Sequence, residues 1–431
     1  MEWWEVLNYD RQVYEVILEA EKRAAEQHYI FTSVSMYNQA KVLRAFQELR
    51  ITDDCFNSNE GYGYNDFGRE KLEALFAHVF KGEDAIVRPH LVSGTHTIFT
   101  CLRGLLRPGD RLLSVTGRPY DTLSRAICGN YPERDEGSLL DWNISFNNLS
   151  LEDFHKPEGK SYLNKMLQEP TKVVFIQRSR GYDADRPSLT IEKIASLIKT
   201  IRYYNNEVTI FVDNCYGEFV ERREPLEIGA DLIAGSLIKN PGGGLAPTGG
   251  YIVGKKEDIK KIGHSITAPG LGKELGAFVY NKRLFFQGLF MAPHLTCEAL
   301  KGGATTAAAL ESVGYNVKPR FDDQRGDIVQ VVCLKNKEEL QKICQAVQSS
   351  SPVNSHILPV AGYTAGYKDP IFMAAGTFVQ GASSEFSADA PQREPFSVFI
   401  QGGLSYQHII IGLAGILQSI QLSSKSINQR F

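Results

Sequence analysis

Two neighbouring stretches decide the fold class: Val208-Thr209-Ile210-Phe211-Val212-Asp213, and then Leu232-Ile233-Ala234-Gly235-Ser236-Leu237-Ile238-Lys239-Asn240-Pro241-Gly242-Gly243-Gly244. Each opens on a short apolar run without the polar alternation of a half-solvated strand, which predicts strands buried on both faces. The same pattern recurs upstream in Ala85-Ile86-Val87, Arg111-Leu112-Leu113-Ser114-Val115 and Lys172-Val173-Val174-Phe175-Ile176-Gln177, and downstream in Gly250-Tyr251-Ile252-Val253-Gly254. Helical stretches stand between these runs, near 97–106, 121–129 and 191–205. Short apolar strands alternating with helices predict an α/β protein built on a mainly parallel sheet.

Residues 10–50 read as helix, with Val13, Ile17, Leu18, Ala24 and Ala25 in one periodic set and a second set from Gln39 to Leu49. This is expected to be an N-terminal helical arm over 1–65, either against another subunit or as an ordinary first helix pair. A large domain is expected over 66–290. After about residue 290 a small-residue helical stretch leads into Asp327–Val332, a helix over 337–348 and Ser397–Ile400, which predicts a smaller C-terminal α/β domain over 291–431. Residues 368–392 lack regular periodicity and are expected as loop or short hairpin.

The 431 residues carry 47 Lys+Arg against 50 Asp+Glu, a net charge of −3, and 43% apolar residues, which gives no basic footprint for nucleic acid or an anionic membrane. The longest apolar stretch, around Ile409–Leu417, is too short to cross a hydrocarbon layer of about 30 Å as a helix. The Met1-Glu2-Trp3-Trp4-Glu5 start lacks the basic and apolar regions of a signal peptide, and the seven cysteines include no C-x-x-C. The expected address is cytoplasmic, with reduced thiols.

Nucleotide signatures fail: Gly61-x-Gly63 lacks a third glycine, and Gly272-Lys273 has no first glycine at P-loop spacing. There is no G-x-S-x-G or H-E-x-x-H motif, and the nine histidines are too dispersed to propose a metal site. What remains lies at the carboxyl ends of predicted strands, where open α/β sheets bind ligands. Asp213 is either a turn former or a functional anion. Lys239 is either a surface lysine lying along apolar groups or a reactive amine. Their neighbours favour the reactive reading. A partly dehydrated lysine can form a Schiff base, and pyridoxal phosphate needs that link. It also needs a carboxylate at its ring nitrogen, for which Asp213 fits. Phosphate donors are available from Ser93-Gly94-Thr95 at a helix start and from Ser236, and a flat ring neighbour from Tyr120. Cys215 reads as packing, and His96 as a helix cap or donor.

With these residues in place, the sequence resembles the fold-type I pyridoxal-phosphate enzymes, among them the cystathionine and methionine lyase relatives and their aluminium-resistance, or methionine γ-lyase-like, subgroup. The resemblance rests on Tyr62-Gly63-Tyr64-Asn65-Asp66-Phe67-Gly68-Arg69-Glu70-Lys71-Leu72-Glu73, Ser93-Gly94-Thr95-His96-Thr97, Val212-Asp213-Asn214-Cys215-Tyr216-Gly217-Glu218-Phe219, Ser236-Leu237-Ile238-Lys239-Asn240-Pro241-Gly242-Gly243-Gly244 and Gln401-Gly402-Gly403-Leu404, in family order over most of the chain. It implies an aspartate aminotransferase-like large domain that binds pyridoxal 5'-phosphate, with Lys239 as the Schiff-base lysine, Asp213 as the pyridinium partner and Tyr120 as the stacking residue. Gly94, Thr95 and Ser236 would hold the phosphate. Tyr62 and Tyr64 match the tyrosine with which such lyases reach a neighbouring subunit's phosphate, so a homodimer or homotetramer is implied. The relatives carry a hydroxyl residue just before the lysine, where this chain has Ile238.

For the α-carboxylate of an amino-acid substrate a bidentate guanidinium is the natural partner. Arg393 matches in kind the arginine that the relatives place in the C-terminal domain. Arg178 and Arg180, leaving a strand's carboxyl end, are rivals. The activity implied is carbon–sulfur elimination, β or γ, from a cystathionine-, cysteine- or methionine-like amino acid, with Lys239 moving the α-proton and Tyr120 protonating the leaving group. Two other readings stand beside it: transamination or γ-replacement on the same scaffold, and a non-catalytic regulatory protein that binds the cofactor.

Overall fold

The computed structural model describes residues 2–129, 137–168 and 170–428, the last eight of these by backbone only. Seven strands form the larger sheet: β1 (Asp84–Arg88), β2 (Arg111–Ser114), β3 (Ser145–Asn148), β4 (Thr171–Gln177), β5 (Thr209–Asp213), β6 (Leu232–Ser236) and β7 (Gly250–Gly254). Their order is β1-β7-β6-β5-β4-β2-β3. β3, β2, β4, β5 and β6 run parallel, and only β7 is antiparallel to its neighbours β6 and β1. β5, β6 and β7 are buried along their whole length, because helices cover both faces of the sheet. One side of the core holds Leu113, Val174, Ile210 and Ile233, and the other Leu112, Val173, Phe211 and Leu232.

The mainly parallel α/β sheet is therefore as expected from sequence. The segment read as two helical stretches is one 38-residue helix, Arg11–Glu48. Its buried positions, Val13, Ile17, Ala20, Ala24, Phe31, Val42 and Ala45, recur at helical spacing. No glycine or proline interrupts it, so nothing ends the helix where the periodicity pauses. It lies along its own chain's helix Arg283–Ser312: Arg23 donates to the Ala308 carbonyl at 2.8 Å, His28 Nε2 is 3.0 Å from Thr305 Oγ1, and Ser35 donates to the Pro293 carbonyl at 3.0 Å. Arg283–Ser312 also runs through residue 290, so one continuous helix joins the large sheet to the C-terminal unit.

The C-terminal unit carries five antiparallel strands, β8 (Asn316–Lys318), β9 (Gln330–Cys333), β10 (Ile371–Ala374), β11 (Ser387–Pro391) and β12 (Ser397–Gln401), in the order β10-β11-β12-β9-β8. The helices Lys337–Ser349 and Tyr406–Asn428 belong to the same unit, and Leu340, Ile343, Val347, Ile410 and Leu413 join its core. The region expected as loop or hairpin thus pairs as β10 and β11, joined by a long connection that reaches back to the residues after β6.

Lys282 has no exposed surface and pairs with Asp66 at 2.9 Å, while Asp66 also caps the helix Phe67–Phe80 by accepting from the Arg69 amide at 3.0 Å. Replacing Lys282 by Met leaves a buried carboxylate without its cation. This is expected to cost about 3–5 kcal/mol of unfolding free energy, measured by urea denaturation.

Candidate active site

Register places the chemistry. Gln177 at the end of β4 stands opposite Asp213 at the end of β5, and Asp213 opposite Ala234 in β6, two residues before Ser236. The carboxyl ends of three adjacent parallel strands therefore open onto one cavity. Its walls include Ser93, Gly94, Thr95, Tyr120, Asp213, Ser236 and Lys239, seven of the residues singled out from sequence.

Ser93 caps the helix Gly94–Leu105, its Oγ accepting from the His96 amide at 3.1 Å. The amides of Gly94 and Thr95 in the first turn have no acceptor within the helix, and the helix dipole adds positive potential there. Thr95 Oγ1 lies 2.7 Å from Thr122 Oγ1 and 3.2 Å from the Tyr120 hydroxyl, which makes a cluster of hydroxyls at the helix head. Tyr120 is set from below, because its amide donates to Gln177 Oε1 at 3.0 Å while Gln177 Nε2 donates to the Ser179 carbonyl at 2.9 Å. Burial, with Asp213 and Cys215 nearby, pushes the Tyr120 hydroxyl far above its usual value, so it stays protonated. His96 instead serves its loop, its Nδ1 accepting from the Val92 amide at 3.3 Å.

Asp213 is buried. Its Oδ1 accepts from the Cys215 amide at 3.1 Å, and its Oδ2 has no hydrogen-bond partner. Burial raises it to about 6, against the opposing pull of its Cys215 hydrogen bonds and the Lys239 charge. A buried carboxylate oxygen facing a cavity without a donor is costly unless a cation or N–H arrives. Lys239 is held by two residues not singled out from sequence. Its Nζ sits 3.8 Å above the Tyr216 ring and donates to Ser383 Oγ at 3.4 Å, and Ser383 Oγ is 3.1 Å from the Tyr216 hydroxyl. Burial opposes its charge, but Tyr216, Cys215 and Asp213 outweigh it and raise Lys239 above its ordinary value. Tyr216 has a left-handed backbone, φ 70°, tied down where Asn240 Nδ2 donates to its carbonyl at 3.0 Å. A strained non-glycine residue beside a reactive lysine is the kind of outlier that marks a functional site.

Ser383 reaches Lys239 from the long connection between β10 and β11. At Gly402, φ 69°, a Cβ would collide with the carbonyl oxygens of Glu385 and Ser383, so only glycine lets this loop close. The Gly402-Gly403 pair, without an assignment in the sequence, shapes the site from the far end of the chain.

The remaining sequence candidates do not line the cavity. Arg178 is fully buried among Asn214 (2.8 Å), Glu221 (3.2 Å) and Glu224 (3.7 Å). Arg393 grips Asp121 through both guanidinium nitrogens, at 3.3 and 3.2 Å, and Asp369 at 3.2 Å, and faces a second cavity that shares Tyr182 and Phe399 with the first. Arg180 is buried next to two wall residues, Ser179 and Gly181. Tyr62 and Tyr64 are 74% and 59% exposed, on a loop fastened by Arg69 Nη1 to the Gly63 carbonyl at 2.6 Å. Arg69 also donates to the carbonyls of Gly276 at 3.0 Å and Glu274 at 3.1 Å, within its own chain.

The donor set suits pyridoxal phosphate: helix-head amides and hydroxyls for a phosphate, a ring beside them, an orphan carboxylate oxygen for a pyridinium N–H, and a lysine in the same cavity. The family model described as methionine γ-lyase matches residues 13–421. The chain belongs to the methionine γ-lyase family. The uncharacterized protein YnbB of Bacillus subtilis (strain 168) is 43% identical over 417 residues, 97% of this chain and 98% of its own length. A solved Listeria monocytogenes structure, provisionally named as a cystathionine β-lyase involved in aluminium resistance, is 48% identical with a TM-score of 0.90, covering 94% of this chain and 100% of its own. The fold alone is shared with the pyridoxal-5'-phosphate-dependent protein YhfS of Escherichia coli, at 16% identity and TM-score 0.59 over 91% of this chain and 97% of its own. Family and architecture thus agree with the fold-type I resemblance.

Proposed function

We propose that this chain is a pyridoxal-phosphate-dependent carbon–sulfur lyase that cleaves a sulfur-containing α-amino acid by β- or γ-elimination. The observation that carries the reading is the unpartnered Asp213 Oδ2 in the same cavity as Lys239 and the free head of helix Gly94–Leu105. When bound, pyridoxal phosphate would link to the Lys239 amine and take up the electrons released at the substrate's α-carbon. The Gly94 and Thr95 amides, with the hydroxyls of Ser93, Thr95 and Ser236, would receive the phosphate. Thr122, bonded to Thr95, adds a hydroxyl where Ile238 offers none. Tyr120 would lie against the ring, and Asp213 would hold its nitrogen protonated.

With a substrate bound, the Lys239 amine would accept the α-proton, with Ser383 and Tyr216 keeping it in reach. The carbon–sulfur bond then breaks with its electron pair going to sulfur, and the protonated Tyr120 hydroxyl supplies the proton the sulfur needs. The aromatic walls Tyr182, Tyr367 and Phe399 offer a polarizable lining for a thioether. A tyrosine contribution from Tyr62 or Tyr64 needs a second copy of the chain, because neither lines its own cavity, and this supports a dimer or a pair of dimers as the active unit.

The outcome is tested by product analysis on cofactor-loaded protein given L-cystathionine, L-cysteine and L-methionine. Elimination is expected to yield keto acid, ammonia and thiol (hydrogen sulfide in the case of L-cysteine) in equal amounts with no added keto acid. A requirement for a second keto acid would instead indicate transamination.

A further inference from the structure

Three arginines compete for the substrate's α-carboxylate, and their charge balance separates them. Arg178 faces Glu221 and Glu224, and Arg393 faces Asp121 and Asp369, so each already has two carboxylates to one guanidinium. Arg180 differs. Its residue is 4% exposed, its Nε is buried without a hydrogen-bond partner, and among the described residues no carboxylate lies within ion-pair distance of it. Asp327, also buried, interacts electrostatically with Arg180; its Oδ2 is unpartnered and its Oδ1 accepts from the Val329 amide at 3.1 Å. Asp327 is shared with a second buried guanidinium, Arg325, which keeps only a 2.7 Å bond to Gln330 Oε1 and leaves Nε and Nη1 unpartnered. Burial lowers Arg325 to about 10, Arg180 pushes it down further, and Asp327 and the exposed Asp323 work in the opposite direction.

Two buried guanidinium groups share one buried carboxylate, and Asp323, the second acid acting on Arg325, is exposed. The buried cluster therefore carries a surplus positive charge, and a surplus charge in a dehydrated interior calls for a counter-ion. This surplus adjoins the Lys239 cavity. Arg180 stands in the chain between the wall residues Ser179 and Gly181, and Val329, held by Asp327, is a wall residue too. Gly181 comes so near Tyr120 that a Cβ there would lie 3.2 Å from the Tyr120 Cβ, so the Arg180 segment is pressed against the tyrosine of the site. Apart from Lys239, the described residues put no cationic side chain on the cavity wall.

Building on the lyase reading, we propose that Arg180, with Asp327 as its acid and Arg325 as a second buried cation beside it, receives the α-carboxylate of the amino-acid substrate. Arg393 is then a structural clamp between Asp121 and Asp369. The class of ligand follows: an α-amino acid with a free carboxylate, in preference to its amide or ester.

The test is calorimetric binding to the cofactor-loaded protein of L-norleucine, which has a methylene in place of sulfur and no leaving group, against L-norleucinamide. Wild type is expected to prefer the acid on the order of 100-fold, Arg180→Met to bring the two within about 3-fold by weakening the acid alone, and Arg180→Lys to fall between. Arg393→Met is expected to keep the wild-type preference. The assignment is overturned if wild type shows no preference, if Arg180→Met weakens acid and amide equally or Arg180→Lys equals wild type, or if Arg393→Met is the variant that loses it. Failure of the protein to take up pyridoxal phosphate would sink the lyase reading instead, and the acid-to-amide ratio, measured without cofactor, would still judge Arg180.

Discussion

Lys239→Ala is expected to lower carbon–sulfur cleavage by on the order of 10⁴-fold or more, since one side chain supplies both the covalent link and the proton acceptor. Its surroundings offer no substitute. Ser383 and Tyr216, the groups nearest its Nζ, are hydroxyls that hold an amine, and Tyr120 is kept protonated by burial. The loss is chemical and not architectural: the lysine follows β6 at the cavity, and the sheet core behind it stays filled by Ile233 and Leu237. The checks are thiol and keto-acid release together with mass analysis after borohydride reduction. Wild type should gain a cofactor mass on the peptide containing Lys239, and the variant should gain none. The same adduct in Lys239→Ala would end the reading of this cavity as a Schiff-base site.

The parts of this site that can be read in the sequence share a physical cause. Strands buried on both faces are short apolar runs, and the first polar residue after such a run stands at the sheet's carboxyl edge; Asp213 and Ser236 are visible for that reason, with Lys239 close behind. The Ser93-Gly94-Thr95 cap is visible because capping is local. What stays hidden depends on distant pairing. Ser383 meets Lys239 across 144 positions, through a loop whose closure depends on Gly402. Arg393 reads as a free clamp in the sequence, but Asp121, 272 positions away, holds it. β11, Ser387–Pro391, carries little β-branched signal and is a strand because β10 and β12 pair with it on either side.

Asp213→Asn is expected to separate stability from function. With a folded-state value of about 6 against an ordinary 3.8, the cofactor-free protein bears a cost of about 3 kcal/mol for keeping this carboxylate ionised. The sign follows from linkage. A carboxyl whose folded value lies above its unfolded one gives no penalty below about pH 4, a growing one between about pH 4 and 6, and a full one above that. Asparagine keeps the Oδ1 acceptor for the Cys215 amide and carries no charge. The cofactor-free variant should therefore unfold later in urea than wild type at pH 8, by up to about 3 kcal/mol, and the advantage should disappear near pH 4. Function should move the other way. A neutral amide cannot favour a protonated ring nitrogen, so turnover should fall by on the order of 10²–10⁴-fold although the Lys239 adduct still forms. Equal stability of the two cofactor-free proteins at pH 8, or undiminished turnover in the variant, would show that Asp213 is not the anion this cavity holds ready for a cation.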